Sequence, residues 1–197
     1  MNVKFIGITG GSGAGKSTLC NALKSKYPDK IQVIQLDDYF KPSDQKPKIG
    51  NITNSDHPDS LYIDKLVDDL LKLKNGEAVM INTKNQILNP NYPQTKEKIP
   101  ILFESKPIII VEGFLVLYDS RIRDLLSISI FLDTEHETRW SRRYAYTNKN
   151  AEYEKLVIIP MHNQFVEPTK KYADHIIDVS IINKEEVLKK VEGILFT

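Results

Sequence analysis

The sequence predicts a three-layer α/β fold built on a parallel five-stranded sheet. Two observations support this prediction. Short apolar runs, which are typical of buried strands, alternate along the chain with amphipathic stretches, which are typical of helices. The first apolar run also stops at a glycine-rich turn and restarts directly as a helix. At 197 residues the chain has the length of one domain with a small insertion, so we expect a single domain over residues 1–197.

The glycine-rich turn after the first strand, residues 3–8, has the spacing G-x-x-x-x-G-K-S/T of a phosphate-binding loop. Glycines let the backbone wrap around a polyphosphate with its N–H groups pointing inward, and the following helix adds the positive end of its dipole. Lys16 can reach the β- and γ-phosphates, and the Ser17 hydroxyl can hold Mg²⁺. The motif therefore predicts nucleotide binding on a P-loop NTPase fold. The predicted phosphate-binding residues are Gly10, Gly11, Ser12, Gly13, Ala14, Gly15, Lys16, Ser17 and Thr18.

The remaining strands and helices are predicted from hydrophobic spacing and from capping residues. After residues 3–8, the predicted strands are 31–36, 108–111, 128–132 and 176–181. After the helix that begins near Lys16, the predicted helices are 61–73, 134–146 and 183–194. Asn183 is a suitable N-cap for the last of these helices.

Three further segments are predicted to lie outside the central sheet. Residues 78–88 and 99–103 can pair as a small β-hairpin, which gives an insertion at about 77–104. Residues 41–60 are polar and contain three prolines, which indicates a long functional loop. A helical lid is expected at about 139–160.

Composition restricts the classes of partner. The formal net charge is +1, so no basic field suggests a nucleic-acid partner. No apolar run approaches the length of a membrane span, and Cys20 is the single cysteine, which fits a reducing compartment. We expect a cytoplasmic protein with a small-molecule substrate and no membrane partner. Oligomeric state is left open, and a homo-oligomer is compatible with the sequence.

Two acidic residues follow predicted strands at the edge where α/β sheets bind ligands. Asp37 follows the second strand, where it could accept a proton from an attacking hydroxyl or hold Mg²⁺; the alternative is ordinary turn chemistry. Glu112 ends the most hydrophobic strand, the placement of an acid that positions Mg²⁺; the alternative is a strand-end glutamate paired with a lysine. The predicted metal ligands are Ser17, Asp37 and Glu112.

Two more groups of polar residues are candidates for ligand binding. Asp56 could accept hydrogen bonds from two ribose hydroxyls, although an Asx turn before a proline is the simpler explanation. His57 is expected to be a structural hydrogen-bonding group. Arginines at helical spacing could close over phosphates, or form a solvated basic face; they are Arg139, Arg142 and Arg143.

These motifs together resemble the uridine kinase family, within the phosphoribulokinase and uridine kinase group of P-loop kinases. The resemblance spans most of the chain. The matching stretches are 8–18 (ITGGSGAGKST), 37–40 (DDYF), 56–59 (DHPD), 112–113 (EG), 121–125 (RIRDL), 131–134 (FLDT), 142–143 (RR) and 168–174 (PTKKYAD).

The resemblance implies transfer of the γ-phosphoryl group of ATP, with Mg²⁺, to the 5′-hydroxyl of a ribonucleoside, most closely uridine or cytidine. It makes Asp37 the catalytic base, with Lys16 as its catalytic partner at the phosphates. It adds Arg142 to the phosphate-binding loop as an ATP contact. The substrate-binding residues that it implies are Asp37, Phe40, Asp56 and Arg143, with Tyr92 as a base-stacking residue if the register is shifted.

Departures from the family pattern leave the nucleobase open. Where uridine kinases usually carry an aromatic residue and a histidine in the hairpin, this chain has Asn89 and Gln94, and the arginine-rich lid is replaced by the shorter 144–150. Residues 37–42, 112–115 and 159–161 resemble nicotinamide riboside kinases equally well. Two alternatives of another class are a GTP-dependent switch, which lacks its N/T-K-x-D element here, and a catalytically inactive nucleotide-binding module.

Overall fold

The computed structural model describes residues 3–144 and 150–196. The strands, in chain order, are β1 (Lys4–Thr9), β2 (Ile31–Gln35), β3 (Lys48–Ile49), β4 (Ile52–Thr53), β5 (Val79–Thr83), β6 (Ile99–Phe103), β7 (Ile108–Glu112), β8 (Ile128–Asp133) and β9 (His175–Asp178). The α-helices are α1 (Lys16–Lys26), α2 (Ile63–Lys74), α3 (Tyr92–Thr95), α4 (Ser120–Arg123), α5 (His136–Tyr144), α6 (Ala151–Tyr153), α7 (Ile159–Met161) and α8 (Lys184–Leu195). Short 3₁₀ turns cover Leu36–Tyr39, Ser43–Gln45, Pro58–Ser60 and Glu167–Tyr172, and π-helical segments cover Glu154–Ile158 and His162–Val166.

The predicted parallel sheet of five strands is confirmed, with the order β2-β7-β1-β8-β9. β7 lies between β2 and β1, and all five of its residues are buried, as expected for its apolar sequence IIIVE. The three neighbouring strands β2, β7 and β1 run in the same direction, so their carboxyl ends meet at one edge of the sheet. The glycine loop, Asp37 and Glu112 follow or end these strands, and this topology brings them together.

Helices cover both faces of the sheet and make three layers. Alternate strand residues point to opposite faces, so Phe5 packs on one side while Ile6 and Ile8 pack on the other. On the Phe5 side the core is closed by α2 and α4, and on the Ile6 side by α1 and α8. Cys20 is fully buried in the second of these cores, so it serves packing as expected.

The closing helix begins where its capping residue predicts. The Asn183 side chain accepts hydrogen bonds from the backbone N–H groups of Glu185 and Glu186, and the Glu186 carboxylate accepts one from the Asn183 N–H. The strand before it is shorter than expected. β9 ends at Asp178, and Ile181 is 80% exposed, because the chain has already left the sheet.

The hairpin insertion is present, but its first strand is shorter than the predicted 78–88. β5 pairs with β6 in antiparallel register from Val79 opposite Phe103 to Thr83 opposite Ile99. The connection between the strands is a long loop that contains α3. Asn89 explains the difference: it is buried, and its side-chain amide donates to the carbonyls of Thr83 and Glu97, which holds this loop closed in place of strand pairing.

The polar loop has more structure than predicted, and the described part of the lid is helical as predicted. The polar loop 41–60 contains the small two-stranded sheet β3-β4 and two 3₁₀ turns. The helix predicted over 134–146 is α5, which the structure describes to Tyr144, so its last two predicted residues lie outside the described part of the chain. Nearly continuous helical turns then run through the second half of the predicted lid. No helix in residues 3–144 and 150–196 is long and apolar enough to span a membrane.

Candidate active site

The phosphate-binding loop is shaped by glycines in conformations that other residues avoid. Gly10, Gly13 and Gly15 have φ values of +134°, +89° and +93°, and Gly15 caps the N-terminus of α1. A Cβ on Gly10 would lie 2.3 Å from the carbonyl oxygen of Leu132, and one on Gly11 would lie 2.0 Å from Arg139 Nη1. The loop therefore depends on glycine both for its turns and for its close packing.

Lys16 lies beneath this loop with its ammonium group turned back onto it. Nζ donates to the carbonyl oxygens of Gly10 at 2.9 Å and Gly11 at 3.1 Å, and the side chain is buried. Burial lowers the pKa of Lys16, although the nearby carboxylates of Glu112 and Asp37 oppose that change. A buried cation beneath a glycine-rich loop is suited to an anionic phosphate chain.

Oxygen atoms that suit Mg²⁺ meet beside the first turn of α1. The Ser17 hydroxyl donates to Glu112 Oε1 at 3.3 Å, and the Gln35 amide donates to Glu112 Oε2 at 3.3 Å. Burial raises the pKa of Glu112, and Lys16 and these hydrogen bonds oppose the change. Among the described residues, no three His, Cys, Asp or Glu side chains gather as a metal cage. Mg²⁺ usually takes one or two protein carboxylates and completes its shell with phosphate and water oxygens, so this donor set fits it.

Asp37 stands at the start of the 3₁₀ turn that follows β2. Its carboxylate forms an ion pair with Lys84 at the end of β5, with Oδ2 and Nζ 2.8 Å apart. Its side chain is 43% exposed, so it is accessible to a small molecule. Asp37 lines the same cleft as Lys16 and Glu112.

Asp56 faces this space from the loop that precedes α2. Tyr153 of α6 donates its phenol O–H to Asp56 Oδ2 at 2.8 Å. Burial raises the pKa of Asp56, while Tyr153 and Arg143 oppose the change. Burial and the Asp56 charge together raise the pKa of Tyr153 to about 12, so the phenol remains a donor at neutral pH. His57 is structural as expected, because its Nδ1 accepts the backbone N–H of Asp59.

One cleft of about 1020 Å³ contains these groups. Its walls include the phosphate-binding loop from Ser12 to Thr18 at one side and Asp37, Phe40 and Asp56 at the other. The Phe40 ring stacks on Phe114 with 6.3 Å between ring centroids, which supplies an apolar surface near the two carboxylates. The cleft is therefore large enough for two ligands, one on the loop and one beside the carboxylates.

A family model described as the phosphoribulokinase/uridine kinase family matches residues 5–185. The chain belongs to this family. The uridine kinase of Clostridium novyi (strain NT) is 37% identical over 204 aligned residues, which cover 97% of this chain and 96% of that protein. The uridine kinase of Leuconostoc citreum (strain KM20) is 39% identical over 184 residues, which cover 87% and 85%. Membership in this family makes the chain a kinase, an enzyme of the phosphotransferase class.

Solved structures agree on the fold. A structure described as a possible uridine kinase from Bacillus stearothermophilus has a TM-score of 0.64 at 16% identity and covers 90% of each chain. Shikimate kinase from Acinetobacter baumannii, in complex with shikimate, has a TM-score of 0.54 at 12% identity and covers 99% of this chain and 94% of its own. At these identities the likeness shows the shared α/β kinase fold.

The arginines of this family member divide between the loop and the cleft. Arg139 is buried beneath the phosphate-binding loop, where its side chain donates to the Thr134 carbonyl and contacts His162. Arg142 lines the cleft and donates to the carbonyl of Val179 at 2.9 Å. Arg143 also lines the cleft and donates to the Ser12 hydroxyl. Two of the three predicted arginines thus reach the cleft, and the third supports the loop.

Some predicted residues lie away from the cleft walls. Gly10 and Gly11 support the loop from behind, and their carbonyls hold Lys16. The half-buried Tyr92, which was predicted to stack on the base in a shifted register, is not among the wall residues, and Lys96 Nζ lies 6.0 Å from its ring centroid. Asn89 is structural, and Gln94 is exposed.

Sequence reasoning missed three residues that the fold brings to the site. They are Gln35 on Glu112, Lys84 on Asp37, and Tyr153 on Asp56. Gln35 could have been predicted from the sequence, because it is the last residue of the strand that precedes Asp37. Lys84 and Tyr153 could not, because each is separated from its partner by more than 45 positions and only chain folding brings the pairs together.

Proposed function

We propose that this family member transfers the γ-phosphoryl group of ATP to the 5′-hydroxyl of a ribonucleoside, with uridine or cytidine as the expected acceptor. The observation that carries the proposal is the single cleft that joins the phosphate-binding loop to Asp37 and Asp56. The related uridine kinases, at 37% and 39% identity, support the choice of acceptor.

The protein groups have distinct tasks in this reaction. The loop N–H groups and Lys16 would bind the phosphates of ATP, with Arg142 and Arg143 adding positive charge near them. Ser17 and Glu112, with Asp37 nearby, would hold Mg²⁺, which when bound supplies positive charge to the β- and γ-phosphates. Asp56 would accept hydrogen bonds from the ribose hydroxyls and so orient the sugar, in place of its contact with Tyr153.

Asp37 would act as the general base. The acceptor hydroxyl gives its proton to the Asp37 carboxylate as the 5′-oxygen bonds to the γ-phosphorus. The bond from that phosphorus to the β,γ-bridging oxygen breaks, and ADP leaves with the electron pair. An acceptor and ATP bound side by side in this cleft would be held in position, so most of the rate enhancement would come from positioning and from fixed positive charge.

A riboside panel tests the proposal. ADP release is measured with uridine, cytidine, adenosine, guanosine and nicotinamide riboside, each with ATP and Mg²⁺, and with Lys16→Met as the control for contaminating kinases. We expect turnover of uridine or cytidine that the control lacks. Turnover of nicotinamide riboside alone would change the assigned acceptor, and no turnover of any riboside by the wild type would refute the proposal and favour a nucleotide-binding module.

A further inference from the structure

The hairpin insertion contacts the active site through the side chain of Lys84. Lys84 is the first residue after β5, and its ammonium group lies 2.8 Å from Asp37 Oδ2. The hairpin is outside the central sheet and contributes nothing to the phosphate-binding loop. Its contact with Asp37 therefore needs an explanation other than general scaffolding of the site.

The neighbouring residues fix the backbone that carries this contact. Asp38 is buried, and its carboxylate accepts hydrogen bonds from the Thr83 hydroxyl at 2.7 Å and from the Lys84 backbone N–H at 2.9 Å. Lys98 of the second hairpin strand donates to the Asp38 carbonyl at 2.7 Å. Two consecutive residues of the 3₁₀ turn are thus bonded to two consecutive residues of the hairpin, so the Lys84 backbone cannot move away without breaking the Asp38 contacts.

The environment also favours the Lys84 side chain on Asp37 over its release to water. Its side chain is only 28% exposed, and its ammonium lies 5.6 Å from the centroid of the Phe40 ring. The Lys46 ammonium lies over the same ring, 4.4 Å from its centroid, so a second positive charge is close to Lys84. The charged and titratable groups that face Lys84 are Asp37, Asp38, Lys46, Tyr92 and Lys98.

We propose that Lys84 is a positioning residue that holds the Asp37 carboxylate by Oδ2 and turns Oδ1 toward the acceptor hydroxyl. The inference rests on the proposed function, because it assigns Asp37 the task of the base. Among the described residues, none donates a hydrogen bond to Oδ1, so that oxygen is available. The hairpin then serves the chemistry, because it supplies the cation that orients the base.

Kinetics of charge-removing and charge-keeping variants test the role. Lys84→Met should lower kcat for the riboside by about 10- to 100-fold, because a misplaced base loses much of its contribution. The KM for ATP should stay within about three-fold, since the loop is untouched. Lys84→Arg keeps the charge and should restore most of the lost kcat. Lys72→Met, which removes an exposed lysine on α2, is the matched control and should behave as wild type.

A second readout does not depend on turnover. Unfolding temperatures of Lys84→Met, Asp37→Asn and the double variant form a cycle for the ion pair. For a partly exposed pair in a chain of this size, we expect the two single shifts to be non-additive by about 1–3 °C. This cycle measures whether the Lys84–Asp37 ion pair forms in solution, and its result does not depend on which substrate the enzyme uses.

The outcomes separate the inference from the proposed function. Wild-type turnover of a riboside with unchanged kcat in Lys84→Met would overturn the inference and leave the function standing. Equal losses in Lys84→Met and Lys84→Arg would also overturn it, because packing and not charge would then be responsible. If the wild type turns over no riboside, the proposed function is refuted, and additive unfolding temperatures would overturn the inference as well.

Discussion

Replacing Asp37 by asparagine tests its role as the general base separately from the other functions of the site. Asparagine has the shape of aspartate but cannot accept a proton at neutral pH. General-base catalysis contributes about 10²- to 10⁴-fold, which corresponds to about 3–5 kcal/mol of transition-state stabilisation. We therefore expect kcat of Asp37→Asn to fall by two to four orders of magnitude.

The same substitution should leave the fold and nucleotide binding intact. The Asp37 and Lys84 side chains are 43% and 28% exposed, so losing their ion pair should cost about 0–1 kcal/mol of unfolding free energy. For a chain of this length that lowers Tm by at most about 4 °C. Lys16 keeps its contacts with the loop carbonyls, so the Kd for ATP should change by less than about three-fold.

Three measurements check these expectations: ADP release, calorimetric titration of an ATP analogue, and thermal unfolding. Asp44→Asn removes an exposed carboxylate from the 3₁₀ turn Ser43–Gln45 and is the matched control, with wild-type behaviour expected in all three. A kcat within ten-fold of wild type would refute the role of Asp37 as base. Loss of ATP binding together with turnover would show that the carboxylate serves the nucleotide and not the acceptor.

Three further predictions follow from the buried groups. Lys16→Met should reduce kcat/KM for ATP by at least about 10²-fold, because the cation at the phosphates is lost. The unfolding free energy should not fall, since burial already disfavours the charged amine, and a destabilised variant would contradict this. Glu112→Gln should raise the free Mg²⁺ concentration that gives half-maximal rate by about 10- to 100-fold. An unchanged Mg²⁺ dependence would show that Glu112 is not a metal ligand. Burial, with Arg139 nearby, lowers the pKa of His162 to about 4. The unfolded chain, with an imidazole pKa of about 6.5, then binds a proton that the folded chain does not, so stability is lost as pH falls from about 6.5 to 4. A Glu167 carboxylate oxygen lies 3.3 Å from His162 Nε2 and opposes this effect, so we expect the unfolding free energy to fall by about 1–3 kcal/mol. His162→Asn should reduce this fall, as measured by urea unfolding at several pH values. Parallel curves of unfolding free energy against pH for the variant and the wild type would contradict the prediction.

The fold was predictable because its signals are local. The spacing of the glycines, the apolar strand before them and the helix after them lie within residues 3–26, and the structure has β1, the loop and α1 there. The parallel sheet followed from alternating strands and helices, because connections between parallel strands are nearly always right-handed. Strand ends were less predictable: β5 stops early because Asn89, six residues beyond it, bonds the loop backbone.

The sequence by itself determined which residues are candidates for the chemistry: a phosphate-binding loop, an acid after the second strand and an acid at the end of the most apolar strand. Their meeting follows from the rule that parallel strands end at one edge. Only the tertiary structure decided what each acid touches. Lys84 reaches Asp37 and Tyr153 reaches Asp56 across 47 and 97 positions of the chain. Such pairs leave no periodic signal, because they are set by how the hairpin and the α6 region pack against the sheet edge and not by the spacing of neighbouring residues.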